Sequence, residues 1–222
     1  MTTSTQHHIQ KHILKVLTYT EVARFRDMRP KGVDSNLYNY HLKLLIKEGL
    51  VSKGEAGYTL SPQGMRFADH VSVEKYEYRQ QPKLLTKLVY VNDKNEIILW
   101  PKYKQPYIGR WSLPSGKVHY EDNNVATAVS REIRYLTTEE PRNLRHVGTV
   151  EYSVYDSGIL VTHTLAHIFT ATLTHVSHER VRFWPLDALK DMNLSPGTLP
   201  TINAVLQEKD FFYKQFTIKE WR

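Results

Sequence analysis

The chain has 222 residues, enough for one large domain or two smaller ones, and its 41% apolar content excludes a disordered composition. It has no cysteine, which excludes a disulfide framework, a thiolate metal site and a thiol nucleophile and suits a reducing compartment. The formal charge of +7 favours a polyanionic partner. More than half of it comes from residues 24–53, where seven cations (Arg24, Arg26, Arg29, Lys31, Lys43, Lys47, Lys53) stand against three acids (Asp27, Asp34, Glu48).

The opening "MTTSTQHHIQKHILKVL" is polar and lacks the apolar centre of a signal peptide, and no apolar run approaches the roughly 20 residues that span a bilayer. A soluble, cytoplasmic protein with no membrane partner is the expectation. Along the chain, Ile9, Ile13, Leu14 and Leu17 form the stripe of an amphipathic helix. "EVARFRDM" predicts a short second helix, broken by "RPKG". "DSNLYNYHLKLLIKEGLV" predicts a third, capped by Asp34 or Ser35 and stopped at Gly49. "LVSKGEAGYTLSP" reads as two short strands about a turn, and "PQGMRFADHV" as a closing helix.

Three helices and then a two-stranded hairpin give the order of a winged helix-turn-helix. The words "YHLKLLIKEGLVSK" and "GYTLSPQG" resemble winged-helix regulators of the ArsR, MarR and PadR type over residues 8–72. The resemblance implies that the third helix reads DNA. Helical geometry places Tyr38, His41, Leu42 and Leu45 on one inward face, with His41 a core histidine, and Asn36, Asn39, Tyr40, Lys43 and Lys47 on the other. Asn suits adenine in the major groove, and Lys suits phosphate or guanine. Lys31 before the helix and Lys53 in the wing are placed for phosphates. The DNA-binding set is therefore Lys31, Asn36, Asn39, Tyr40, Lys43 and Lys53, with double-stranded DNA as the partner. Solvated surface residues of a protein-binding or dimerising domain are the plainer alternative.

Residues 1–72 are thus expected to form the first domain and 73–82 a charged linker. Residues 83–205 form a second domain, followed by a C-terminal tail over 206–222. The second domain reads as α+β with a mixed sheet. Strands are predicted at "LLTKLVYVND", "EIILWPKY", "HVGTVEYSVY" and "VTHTLAHIFTATL". Helices are predicted within 116–138 and near "TLPTINAVLQEK".

"GRWSLPSGKVHYEDNNVATAVSREI" resembles the Nudix family over residues 83–205, with "FWPLDAL" similar to a late strand and turn of that family. The resemblance implies an α/β/α sandwich. It also implies enzymes that cleave nucleoside diphosphate derivatives with Mg²⁺ or Mn²⁺. In the family box a glycine is followed by an Arg-Glu pair and then by two more glutamates three and four positions on, so that carboxylates share one helix face and hold the metal. Gly116, Arg131 and Glu132 match. Tyr135 and Leu136 replace the two glutamates and Thr138 replaces the second glycine. The loop has one residue too many, so the family's loop glutamate falls on Asp122 or on Asn123, depending on the end counted from. Glu139 and Glu140 lie beyond the helix, which Pro141 favours ending.

One carboxylate of three is a poor Mg²⁺ site, so no cofactor is assigned. Phosphates are still held by Lys, Arg and backbone N–H groups without a metal. Ligand-binding candidates are Lys102, Lys104, Arg110, Trp111 and Lys117, with Tyr103 or Tyr107 also available to stack. Each is equally readable as a surface cation or a core aromatic. His163, His167, His175 and His178 read as strand positions rather than metal ligands.

Together the halves suggest a homodimeric transcriptional regulator whose degenerate Nudix-like domain senses a nucleotide-type metabolite. The runner-up is an active hydrolase with Glu132 as its catalytic residue. Mg²⁺ or Mn²⁺ would then be held with Asp122, Glu121 or Glu151, and the winged helix would be an interaction module. An RNA- or protein-binding scaffold is a third reading.

Overall fold

The computed structural model describes residues 7–72, 80–137, 140–173, 176, 178–179 and 181–221. The chain separates into two compact units, Met1–Gln81 and Pro82–Arg222. Most of the linker expected at 73–82 lies outside the described residues.

In the first unit, helix α1 (His8–Thr18) starts with a reciprocal cap. His7 Nδ1 accepts from Ile9 N at 3.3 Å, and His7 N donates to Gln10 Oε1 at 3.0 Å. Both contacts satisfy N–H groups that have no partner inside a first turn. Ile9, Ile13, Leu14 and Leu17 are buried, as the periodicity predicts. The helix expected at "EVARFRDM" is only a 3₁₀ turn, Phe25–Met28. Ala23 pairs with Tyr58 through two backbone hydrogen bonds of 2.8 and 3.0 Å, which holds the preceding residues extended. The Tyr38 hydroxyl donates to Phe25 O at 2.9 Å and fixes the turn from the other side.

Helix α2 (Ser35–Lys47) is capped by Asp34, whose Oδ1 accepts from Asn36 N at 2.8 Å and Leu37 N at 3.2 Å. Tyr38, His41, Leu42 and Leu45 are buried. Just past the helix, Gly49 takes a φ of +75°, a conformation that costs a residue with a Cβ. Strands β1 (Val51–Lys53) and β2 (Tyr58–Leu60) pair antiparallel, and α3 (Pro62–His70) opens with a Ser61 cap and Pro at its start.

The second unit holds a mixed sheet in the order β10-β7-β8-β3-β6, formed by β3 (Lys83–Val89), β6 (Ser115–Lys117), β7 (Arg142–Asp156), β8 (Ile159–Thr172) and β10 (Phe212–Ile218). A smaller antiparallel sheet joins β4 (Glu96–Pro101) to β5 (Trp111–Ser112) and β9 (Arg182–Pro185). The period-2 alternation of the strands divides the apolar residues between two cores. Val89, Ile97, Leu99, Val150 and Ile168 pack with helix α5 (Thr198–Gln207) through Ile202 and Ala204. Leu88, Ile98 and Phe169 point the other way and meet helix α4 (Val125–Ile133) through Val129 and Ile133. The α+β class, the mixed sheet and the helix on each face are as expected.

The expected C-terminal tail is different. Residues 212–218 form β10, parallel to β7 with Phe212 opposite Gly148. Phe212 is buried in the first core, and a Cβ on Gly148 would stand 2.7 Å from its ring. A short alternating strand next to charged residues gives little signal in sequence; its partner, 64 residues upstream, decides the outcome.

Candidate functional site

The segment from Gly116 to Ile133 folds as a strand, a loop and a helix pinned by one arginine. Asn124 caps α4, accepting from Thr127 N at 2.9 Å. Arg131, in the last turn of the helix, reaches back across the loop. Its Nη1 donates to Asp122 Oδ1 and its Nη2 to Lys117 O at 2.8 Å, while its Nε lies 3.6 Å from Glu132 Oε1. The other Asp122 oxygen accepts from His119 N at 2.6 Å. That backbone N–H first, and Arg131 second, hold the Asp122 carboxyl below its ordinary pKa, while Asp122 raises that of Arg131. Of the two positions that the loop offered, it is Asp122 that meets Arg131.

Gly116 lies within β6 rather than at a tight turn, and its φ is not in the left-handed region. Its role is space. A Cβ there would fall 2.1 Å from Glu132 Cδ, so the missing side chain is what lets Glu132 lie against the strand. Gly116, Arg131 and Glu132 thus form one contiguous unit.

The carboxylates that a metal would need are scattered. Tyr135 is 61% exposed and Leu136 is buried in the core with Val129 and Ile133. Asp122 is engaged by Arg131, and Glu121 is exposed. Glu151 accepts from the Tyr213 hydroxyl and pairs with His163 Nε2 at 2.7 Å, contacts that in that order lower its pKa. Glu140 pairs with Arg134 at 2.7 Å, and Glu139 lies outside the described residues. Among the described residues no three His, Asp or Glu side chains converge to hold a metal. These residues do not fit Mg²⁺ or Mn²⁺, and no step is derived through either.

Beside Gly116 opens a cavity of about 720 Å³. Lys83, Lys87, Lys102, Lys104 and Lys117 line it, and Trp100, Tyr103, Tyr107, Tyr135 and Tyr152 form much of its wall. Lys83, Lys104 and Lys117 are exposed at its surface. Lys87, only 2% exposed, stands 4.6 Å from the Tyr152 ring centroid. Lys102 Nζ lies 3.3 Å from Ser115 Oγ. Burial, then the nearby Lys87 and Lys83, push the Lys102 ammonium down to about 8, with Glu132 opposing them. Two buried hydroxyls in the lining, Thr164 Oγ1 and Ser195 Oγ, have no hydrogen-bond partner among the described residues.

Of the expected ligand set, Lys102, Lys104 and Lys117 are in this lining. Arg110 and Trp111 are not. Arg110 donates to Leu194 O at 3.2 Å and lies over the Trp221 ring, while Trp111 meets Trp184 edge-on at 5.1 Å. Both serve the packing between β5 and the segment near 194. Tyr107 is a buried wall residue whose hydroxyl bonds Thr162 Oγ1 at 2.9 Å; burial raises its pKa. Tyr103, 55% exposed, keeps an accessible ring. Lys87 and Lys83 were not among the expected residues. The signal was in "KLLTKLV", where Lys83, Leu85 and Lys87 share one strand face by their period of two. Of the histidines, His178 lines the cavity, His167 meets His146 edge-on at 5.0 Å, and His175 lies outside the described residues.

In the first unit, α2 presents Asn36, Tyr40, Lys43 and Lys47 to solvent, with Asn39 half-buried between them. Lys31 and Lys53 are exposed before and after it. His41 is buried, stacked on His7 at 4.1 Å, with its Nδ1 unpartnered.

No protein-family profile matches the chain, and no curated protein does. Among solved structures, the chain is similar to the NUDIX domain of Shewanella oneidensis NrtR complexed with ADP ribose, at 20% identity over 58% of this chain and 89% of that one, TM-score 0.47. It is also similar to Shewanella oneidensis NrtR complexed with a 27mer DNA, at 22% identity over 56% of this chain and 59% of that one, TM-score 0.44. A MutT NUDIX hydrolase from Burkholderia pseudomallei matches at 24% identity over 57% of this chain and 99% of that one, TM-score 0.47. The matched part spans about three fifths of the NrtR chain in its DNA complex. Among the described residues no helix is long and apolar enough to cross a membrane.

Proposed function

We propose that this chain is a DNA-binding transcriptional regulator whose Nudix-type second unit senses a nucleotide-type metabolite and does not hydrolyse it. The observation that carries the reading is a lysine-lined, aromatic-walled cavity beside a Nudix-like helix that keeps its Arg131–Asp122 clasp and one carboxylate of three. Scaffold retention favours binding, and loss of the carboxylates favours loss of turnover. The exposed polar face of α2 supports major-groove reading through Asn36, Asn39, Tyr40 and Lys43, with Lys31 and Lys53 on phosphates. In a homodimer two such helices reach two half-sites, and ligand binding shifts the pose that fits them.

The test combines two readouts on the intact chain. ADP-ribose, nucleotide sugars, dinucleotides and nucleoside triphosphates are screened for phosphate release with Mg²⁺ or Mn²⁺ and, in the same wells, for thermal stabilisation. A stabilising compound is then titrated into the protein bound to a DNA site selected from a random pool. Stabilisation without turnover, together with a ligand-dependent change in DNA affinity, is the expected result. Metal-dependent turnover that Glu132→Gln abolishes would make the chain a hydrolase instead.

A further inference from the structure

The cavity holds more positive charge than the chain around it balances. Lys87 is almost fully buried, yet no described carboxylate lies within ion-pair distance of it or of Lys102. The Tyr152 ring offsets part of its desolvation. Lys102 approaches the same place from another strand end. Its Nζ contacts Ser115, and Ser115 is the residue opposite Lys87 in the β3–β6 ladder. Two ammonium groups drawn together in a low-dielectric pocket repel each other, and only an anion between them reverses the sign. The same field repels a dication, and among the described residues Glu132 is the carboxylate that opposes it at Lys102.

We propose that the cavity binds its phosphate-bearing ligand without a divalent metal, Lys87 and Lys102 supplying the charge that Mg²⁺ would otherwise supply to two neighbouring phosphates. This rests on the sensor reading above and narrows it to ligands with a diphosphate or an equivalent pair of anionic groups. Lysine suits the task as a compact point charge with three donors. Lys83, Lys104 and Lys117 around the opening add attraction on approach. The unpartnered hydroxyls of Thr164 and Ser195 and the aromatic wall receive the polar, ring-bearing remainder of the ligand.

The probes are inorganic pyrophosphate and ADP, titrated calorimetrically into the intact protein in EDTA and again in excess Mg²⁺. Binding in EDTA at least as tight as in Mg²⁺ is expected, because Mg²⁺ competes for the diphosphate. Lys87→Met and Lys102→Met should each weaken it about tenfold or more. Thermal melts of the unliganded variants should not fall, since each removes an uncompensated charge. Glu132→Gln should leave binding equal or tighter. Repeating the titration near pH 8 in buffers of different ionisation heat should show more proton uptake in the wild type than in Lys102→Met, the difference being the proton that Lys102 gains. Binding that requires Mg²⁺, or that survives both lysine substitutions unchanged, overturns the proposal and leaves the regulator reading standing. Turnover of ADP derivatives would overturn that reading instead.

Discussion

Helices α2 and α4 are built by the same local rules and used in opposite ways. Each opens on a side-chain cap, Asp34 or Asn124, and each buries one apolar stripe. In α2 the polar side carries Asn36, Lys43 and Lys47 exposed to solvent, with Asn39 half-buried between them. In α4 the conspicuous polar pair, Arg131 and Glu132, turns inward to a loop and a strand and holds them in place. A charged residue on an amphipathic helix is therefore a contact or a clasp according to what the chain brings beside it, and only the former is replaceable without structural cost.

Four experiments sharpen that contrast. The largest effects belong to the stripes both helices bury: Leu42→Ala and Ile133→Ala should each cost about 2–5 kcal/mol, read as a lowered denaturant midpoint. If the two units melt separately, each substitution moves only its own transition. Next comes the outer face of α2. Asn36→Ala combined with Asn39→Ala should cut the preference for a selected site over random DNA by about a hundredfold while leaving the melting temperature within a degree or two. An unchanged preference would show that this face does not read bases.

Smaller losses test the caps. Asp34→Ala and Asn124→Ala should each cost about 1 kcal/mol of stability, and similar values would confirm that the two helices start by the same physics. The subtlest effect is on acid stability. The folded state depresses the pKa of Asp122 below 3.8, so its contribution is present in full above that value and is lost as pH falls through the depressed one. Asp122→Asn should flatten that acid limb of the stability curve. An identical pH profile would mean that Arg131 gains nothing from the charge.

The elements most legible in sequence were those with strong periodicity and caps. The stripe of α1, the inward face of α2 and the Asp34 cap follow from spacing alone. The reading of Tyr135 and Leu136 as replacements for two glutamates came from the resemblance to the Nudix family and not from spacing. What spacing did not reveal was set by distant partners. The second helix shortened to a 3₁₀ turn because Ala23 pairs with Tyr58, and the expected tail became β10 because Gly148 leaves room for Phe212. Arg110 and Trp111 looked like ligand residues from their place near the box, yet they pack against the segment around Leu194. Lys87 was passed over because a lysine within an apolar strand reads as solvent-facing.

By itself the sequence determined the capped α-helices, several of the strands and the two-part organisation, because these depend on residue type at fixed local spacing. Only the tertiary structure decided that Asp122 rather than Asn123 meets Arg131, that Gly116 yields its space to Glu132, and that lysines from β3, from the end of β4 and from β6 line one cavity. Those outcomes depend on which surfaces are brought within a few ångströms across the sheet. Electrostatics and packing act at that range whatever the separation along the chain.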